Sequence, residues 1–190
     1  MKYLITGLGN PGPEYAHTRH NIGFDVLEAF AKAHGLEFRS RRLGELSSWK
    51  SKGRDIILLR PSTYVNLSGE AVKYWMDKEK IPLEHLLVVL DEIALPLNAL
   101  RLRPGGSDGG HNGLKSIAGM LGTEAYCRLR FGIGKDYPRG GQVHFVLGPW
   151  KEKEQPLVAR KTAQAVKTIE EFIFRGPQAA MNSVNQLVFE

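Results

Sequence analysis

A short apolar run breaks, near the N-terminus, into a loop that no regular element can cross, and this break constrains the chain more than any other stretch. Tyr3, Leu4 and Ile5 are apolar and β-favouring, as in a buried strand. Gly7, Gly9 and Gly12, with Pro11 among them, end the strand in a tight turn. Glycine admits backbone angles that other residues avoid, and proline removes an amide donor. Val26, Leu27, Phe30 and Ala31 then share one face of a helix closed by Gly35. A strand, a glycine turn and a helix predict an α/β sheet, whose ligands bind at the carboxyl ends of the strands. Thr18-Arg19-His20-Asn21 falls in that loop. His20 is thus expected at a helix start, where the dipole disfavours imidazolium and keeps a neutral base available.

Gly7-Leu8-Gly9-Asn10-Pro11-Gly12 matches the dinucleotide fingerprint letter for letter. That fingerprint requires a helix opening within the glycines, so that its N-terminus faces a pyrophosphate. Pro11, Pro13 and the polar run to Asn21 delay the helix, and Glu28 falls inside the helix pattern rather than at a strand end. The match therefore does not predict a nucleotide cofactor.

Strand and helix patterns alternate along the rest of the chain, without repeats or linkers, so one domain over residues 1–190 is expected. Residues 36–52 are basic and irregular, and fit edge strands. Ile56, Ile57, Leu58 and Leu59 mark a fully buried strand stopped by Pro61. Ser68 is placed to cap a helix carrying Val72, Trp75 and Met76 on one face. His85 to Asp91 is a second buried strand that ends on its carboxylate. Leu100 and Leu102 alternate with Arg101 and Arg103, and Leu129 and Phe131 alternate with Arg128 and Arg130, predicting two amphipathic strands. Between them, a glycine-rich loop leads into a helix with Leu114, Ile117 and Leu121 inward and Gly122 at its end. Val143 to Leu147 reads as a last strand, and Lys151 to Arg175 as a long amphipathic helix stopped by Gly176-Pro177. The tail from Gln178 is weakly patterned. The predicted architecture is a single-domain three-layer sandwich, a twisted mixed β-sheet flanked by helices.

The net charge of +6 and pI near 9.5 favour an anionic partner, though ordinary solubility explains them as well. Cys127 is the lone cysteine, which leaves no disulfide or cysteine-based zinc site and fits a reducing compartment. No signal-like or membrane-length apolar run occurs, and a cytoplasmic protein acting away from membranes is expected.

Two groups of residues carry chemistry. His20 and Asp91 both fall at strand-end loops, where a carboxylate on one ring nitrogen frees the other to take a proton from water. The residues alone leave open whether this is a catalytic pair or a surface histidine and a turn-capping aspartate. Asn10, Asn66 and Asn112 sit on three separate loops; neutral amides there can orient a peptide and a water without adding charge. His111 has no acidic residue or cysteine at local ligand spacing, and with two histidines only at 17 and 20 a metal site is not predicted. No Gly-x-Ser-x-Gly elbow is present and the single cysteine lacks a companion motif, so a covalent nucleophile is not predicted. The arginine faces of the two amphipathic strands suit phosphate contacts as well as simple solvation.

GLGNPGPEYAHTRHNIGF, running from Gly7 to Phe24, resembles the opening signature of bacterial-type peptidyl-tRNA hydrolases. Pro61 to Gly69, Asp91 to Pro96 and Gly105 to Gly113 continue the resemblance in order and spacing as far as Trp150. It implies hydrolysis of the ester joining a peptide to the terminal ribose of tRNA, with no metal or cofactor, by a protein expected to be monomeric. The implied catalytic pair is His20 and Asp91. Asn10 is implied near the scissile end of the peptide, Asn66 and Asn112 on substrate and water, and Tyr15 in the pocket. Arg103 and Arg130 are implied to clamp the 5′ phosphate beside the acceptor stem and CCA end. Ala94 stands where the family usually has aspartate, Asn98 where it has glycine and Val65 where it has methionine. A catalytically silent RNA-binding relative is the rival reading, and the presence of both His20 and Asp91 argues against it.

Overall fold

The computed structural model describes residues Met1–Glu190. Seven strands, β1 (Lys2–Gly7), β2 (Arg39–Arg41), β3 (Gly44–Ser51), β4 (Arg54–Pro61), β5 (Leu86–Glu92), β6 (Leu100–Arg103) and β7 (Cys127–Gly132), form one sheet in the order β2-β3-β4-β1-β5-β7-β6. The four central strands β4, β1, β5 and β7 run parallel, and β2, β3 and β6 add antiparallel edges. Six helices complete the chain: α1 (Ile22–Ala33), α2 (Ser68–Glu79), α3 (Asn112–Leu121), α4 (Gln142–Val146), α5 (Gln155–Arg175) and α6 (Pro177–Val184).

Alternation along the strands sorts two cores. Tyr3, Ile5, Leu87, Val89, Leu129 and Phe131 face α1, α5 and α6, and Leu4, Ile57, Leu86 and Val88 face α2 and α3. The central strands read as continuous apolar runs because helices cover both faces. The mixed three-layer sandwich is as expected.

The chain builds β2 to β4 on one side of β1 and then returns through α2 to build β5 on the other. The carboxyl ends of β1 and β5 are therefore neighbours at a switch point, with β4 ending on the same rim. Glycine lets the first turn come close. A Cβ on Gly7 would lie 2.2 Å from the Gly23 carbonyl oxygen, and one on Gly23 would lie 2.4 Å from the Leu8 nitrogen. The end of β1 and the start of α1 thus touch backbone to backbone, which holds the His20 turn against the sheet.

Three local expectations are corrected. Residues 142–146 form α4, not a strand: only Phe145 of this run is buried, so a single helical turn satisfies it. The edge it would have extended is occupied, since the Asn185 side chain pairs with both the Leu102 N–H (2.7 Å) and its carbonyl (3.0 Å). Ser68 does not cap α2; it is the first helical residue and its hydroxyl donates to the Val65 carbonyl at 2.7 Å. The weakly patterned tail contains α6, because Pro177 is acceptable at a helix start and Gly176, at φ 89°, turns the chain into it. No helix is long and apolar enough to cross a membrane.

Candidate active site

A cleft of about 470 Å³ opens over the carboxyl ends of β1, β4 and β5. His20 and Asp91 line it beside Asn10, Asn66 and Asn112. His20 belongs to a 3-10 turn, Arg19–Asn21, that precedes α1, and Asp91 is the second-last residue of β5. His20 Nδ1 is 2.8 Å from Asp91 Oδ2, so the ring donates from Nδ1 and its Nε2, which makes no hydrogen bond to protein, remains a proton acceptor.

The third member of the cluster is His111, which spacing along the chain does not predict. Its Nε2 lies 2.8 Å from Asp91 Oδ1, while its Nδ1 accepts the Gly113 N–H at 3.0 Å. That second bond fixes the tautomer: Nε2 carries the proton and donates it to Asp91. Local spacing hides the contact, because the partner lies 20 positions away on another element. The signal present in the sequence is a histidine beside Asn112 in a glycine loop.

Asp91 is 3% exposed and accepts one N–H on each oxygen. Burial alone would raise its pKa, but His111 and then His20 outweigh it and hold the carboxyl well below the usual range. Burial pulls the His20 pKa down; the charge of Asp91 and its hydrogen bond overcome this, so the net shift is upward. A neutral ring maintained by the helix dipole is thus replaced as an account by a ring whose basicity Asp91 increases. Donor atoms of His20, Asp91 and His111 lie within 4.8 Å of one another, a spacing that could hold a cation. They are bonded pairwise instead, and a cation would have to displace both hydrogen bonds.

The asparagines differ in how much of their amide is free. Asn10 Oδ1 accepts the Val65 N–H at 2.9 Å, and its backbone exchanges two hydrogen bonds with the Asn21 side chain. Asn10 thus ties the β1 turn to the β4 turn and offers only its Nδ2 to the cleft. The Asn66 and Asn112 side chains make no hydrogen bond to protein and retain both donor and acceptor. Tyr15 stands outside the cleft lining and packs edge-on against Tyr64, ring centres 6.3 Å apart. Tyr64, more than half exposed, and Val143 on α4 form two exposed lips of the cleft.

Arg19, next to His20, anchors that second lip. It is 4% exposed, stacks 4.1 Å from the Phe145 ring centre, and donates to the Phe145 carbonyl and to Glu154.

All four arginines of β6 and β7 share one face, Arg101 opposite Arg130 and Arg103 opposite Arg128. Three of them are engaged by the protein itself. Arg128 is buried against the carbonyls of Gly106 and Glu124, bracing the glycine loop that leads to His111. Arg101 donates to the Leu187 carbonyl, and Arg130 is paired with Glu92 at 2.8 Å. Arg103 is exposed and has no partner.

Comparison with known proteins gives the family. The family model described as peptidyl-tRNA hydrolase matches residues 4–190. A peptidyl-tRNA hydrolase of Phocaeicola vulgatus is 56% identical over 98% of this chain and 100% of its own length. That of Porphyromonas gingivalis is 49% identical over 97% of this chain and 100% of its own length. The crystal structure of peptidyl-tRNA hydrolase from Acinetobacter baumannii superposes with a TM-score of 0.92 at 34% identity, covering 98% of this chain and 95% of that one.

Proposed function

Since the chain belongs to the peptidyl-tRNA hydrolase family and hydrolyses peptidyl-tRNA, we propose that His20 is its general base and Asp91 the group that orients and strengthens it. The carrying observation is the His20 Nδ1–Asp91 Oδ2 hydrogen bond of 2.8 Å, which leaves Nε2 free in the cleft. Water held at Nε2 attacks the ester carbonyl joining the peptide to the terminal ribose. The ring takes the proton as the carbon–oxygen bond forms, and returns it to the departing ribose oxygen. Asp91 stabilises the imidazolium in between, and His111 steadies Asp91 from the other oxygen.

Asn66 and Asn112 hold the peptide end and the attacking water, and the Nδ2 of Asn10 faces the scissile carbonyl. Tyr15 acts one step back, by fixing Tyr64 at the mouth. Arg103 takes the terminal phosphate of the acceptor stem, and Arg130 joins it by exchanging part of its bond to Glu92. An A-form stem exposes little sequence to side chains, so phosphate and shape contacts carry the affinity. We place this protein in the cytoplasm as a monomer, recycling peptidyl-tRNA released during translation.

The test compares an N-acylated aminoacyl-tRNA with the same species carrying a free amine. The acylated ester is cleaved and the free one spared. Equal cleavage of both would show that the asparagines do not select a peptide.

A further inference from the structure

Lys161 lies on α5 with no solvent exposure, yet it has no carboxylate partner. Its Nζ donates to the Leu97 carbonyl at 2.6 Å and to the Gly132 carbonyl at 2.7 Å, and stands 3.9 Å from the centre of the Phe131 ring. Both protonation states of the amine keep the two N–H bonds these carbonyls require.

The three contacts converge on one place in the fold. In the sheet register Phe131 is the neighbour of Asp91, and Gly132 is the neighbour of Glu92. The loop 93–99 that follows β5 folds back over Gly132 so closely that a Cβ there would lie 2.1 Å from the Pro96 carbonyl oxygen. Ile93 of this loop lines the cleft. Backbone bonds hold the loop at either side, the Gly134 N–H on the Leu95 carbonyl (2.9 Å) and the Phe189 N–H on the Asn98 carbonyl (3.0 Å), and the Leu97 carbonyl between them receives no donor other than Lys161.

A buried amine without a counter-charge is a costly way to fill space, and methionine would pack there at no desolvation penalty. What methionine could not do is bind two carbonyls at once. We propose that Lys161 is a positioning residue for the reaction: from the helix layer it fixes the loop behind β5 and, through Phe131 and Gly132, the placement of Asp91 against His20. The inference rests on the reading that Asp91 acts on His20.

Displacements of about an ångström at a catalytic group can cost up to a hundredfold in rate, so a clamp at this distance is expected to act on turnover. Lys161→Met and Asp91→Asn are to be assayed singly and together on N-acetylated aminoacyl-tRNA, well below each variant's melting temperature. Lys161→Met should lower kcat roughly tenfold and move KM less than about twofold, because the residue touches no substrate. The same substitution should cost almost nothing further once Asp91→Asn has removed the group it positions. A lowered melting temperature with wild-type kcat, a change confined to KM, or a full additional loss in the Asp91→Asn background would each overturn the proposal. Should Lys161→Met fail to fold, Lys161→Gln, which keeps a donor for one carbonyl, takes its place with the same readouts. Asp91→Asn alone tests the reading of the site; wild-type turnover in Lys161→Met sinks this inference and leaves that reading standing.

Discussion

His111 donates its Nε2 proton to Asp91 Oδ1 while His20 holds the other carboxylate oxygen, so one buried aspartate is shared by two rings whose centres are 5.1 Å apart. The rings are not equivalent. His111 has its second nitrogen committed to the Gly113 N–H, whereas the second nitrogen of His20 is free. One ring can accept a proton and the other cannot without losing a bond.

Removing the inner ring should therefore change the outer one. In His111→Ala, Asp91 loses one N–H and becomes a stronger base, which favours imidazolium at His20. The acid limb of the pH–rate profile should move to higher pH, and kcat at neutral pH should fall roughly tenfold, within the range of one misplaced catalytic partner. An acid limb at its wild-type position would show that His111 does not act through Asp91.

Asp91→Asn should shift the same limb the other way. Asp91 raises the His20 pKa against the downward pull of burial. With an amide in its place only the downward pull remains, so His20 is neutral to lower pH and the limb moves down. Turnover still falls, since the amide cannot stabilise imidazolium and can hold the wrong tautomer. An unchanged apparent pKa in the kcat profile would separate the two residues.

Arg103 and Arg130 should behave differently although they share a face. Arg103 has no protein partner, so Arg103→Ala should raise KM with kcat intact and flatten the log–log salt dependence by roughly 0.7 to 0.9 for each phosphate that is no longer neutralised. Arg130→Ala also strands Glu92 at the end of β5, beside Asp91, and so should lower kcat as well as affinity. Removing the 5′ phosphate from the tRNA should reproduce the Arg103→Ala defect, and combining the two should add little. Additive effects would assign Arg103 to another part of the substrate.

Much of this is legible in the sequence, and the parts that are not share a cause. The glycine–proline turn, the buried strands that carry Pro61 and Asp91 at their carboxyl ends, and the two arginine-faced strands follow from composition and period. His111 escapes such a reading because its carboxylate is supplied by strand β5, and metal-like spacing along the chain says nothing about neighbours across a sheet rim. The arginine pattern predicts the shared face but not its allocation, since which arginine is engaged by Gly106, Leu187 or Glu92 depends on tertiary contacts. Val143 to Leu147 mislead because a run of five residues has too few periods to separate strand from helix. Lys161 carries no signal, as a lysine within an amphipathic helix is expected to face water.

Lys161 also marks the pH dependence of stability. Burial, with the Arg101 guanidinium on β6 adding to it, pushes its pKa from 10.5 down to about 7. Between those values the unfolded chain holds the proton and the folded chain does not, so this group's contribution makes stability rise with pH, by at most about 1.4 kcal/mol per pH unit. The melting temperature of the wild type relative to Lys161→Met should climb from pH 7 to pH 9. Parallel curves over that range would show an amine that keeps its ordinary pKa.

The most direct test of the account is the steady-state hydrolysis of N-acetylated aminoacyl-tRNA by His20→Ala, with tRNA binding measured on the same preparation. Loss of the general base should lower kcat by roughly a hundredfold or more, with binding within a few-fold of wild type. A variant that binds normally and turns over within a few-fold of wild type would contradict the assignment of His20 as the base.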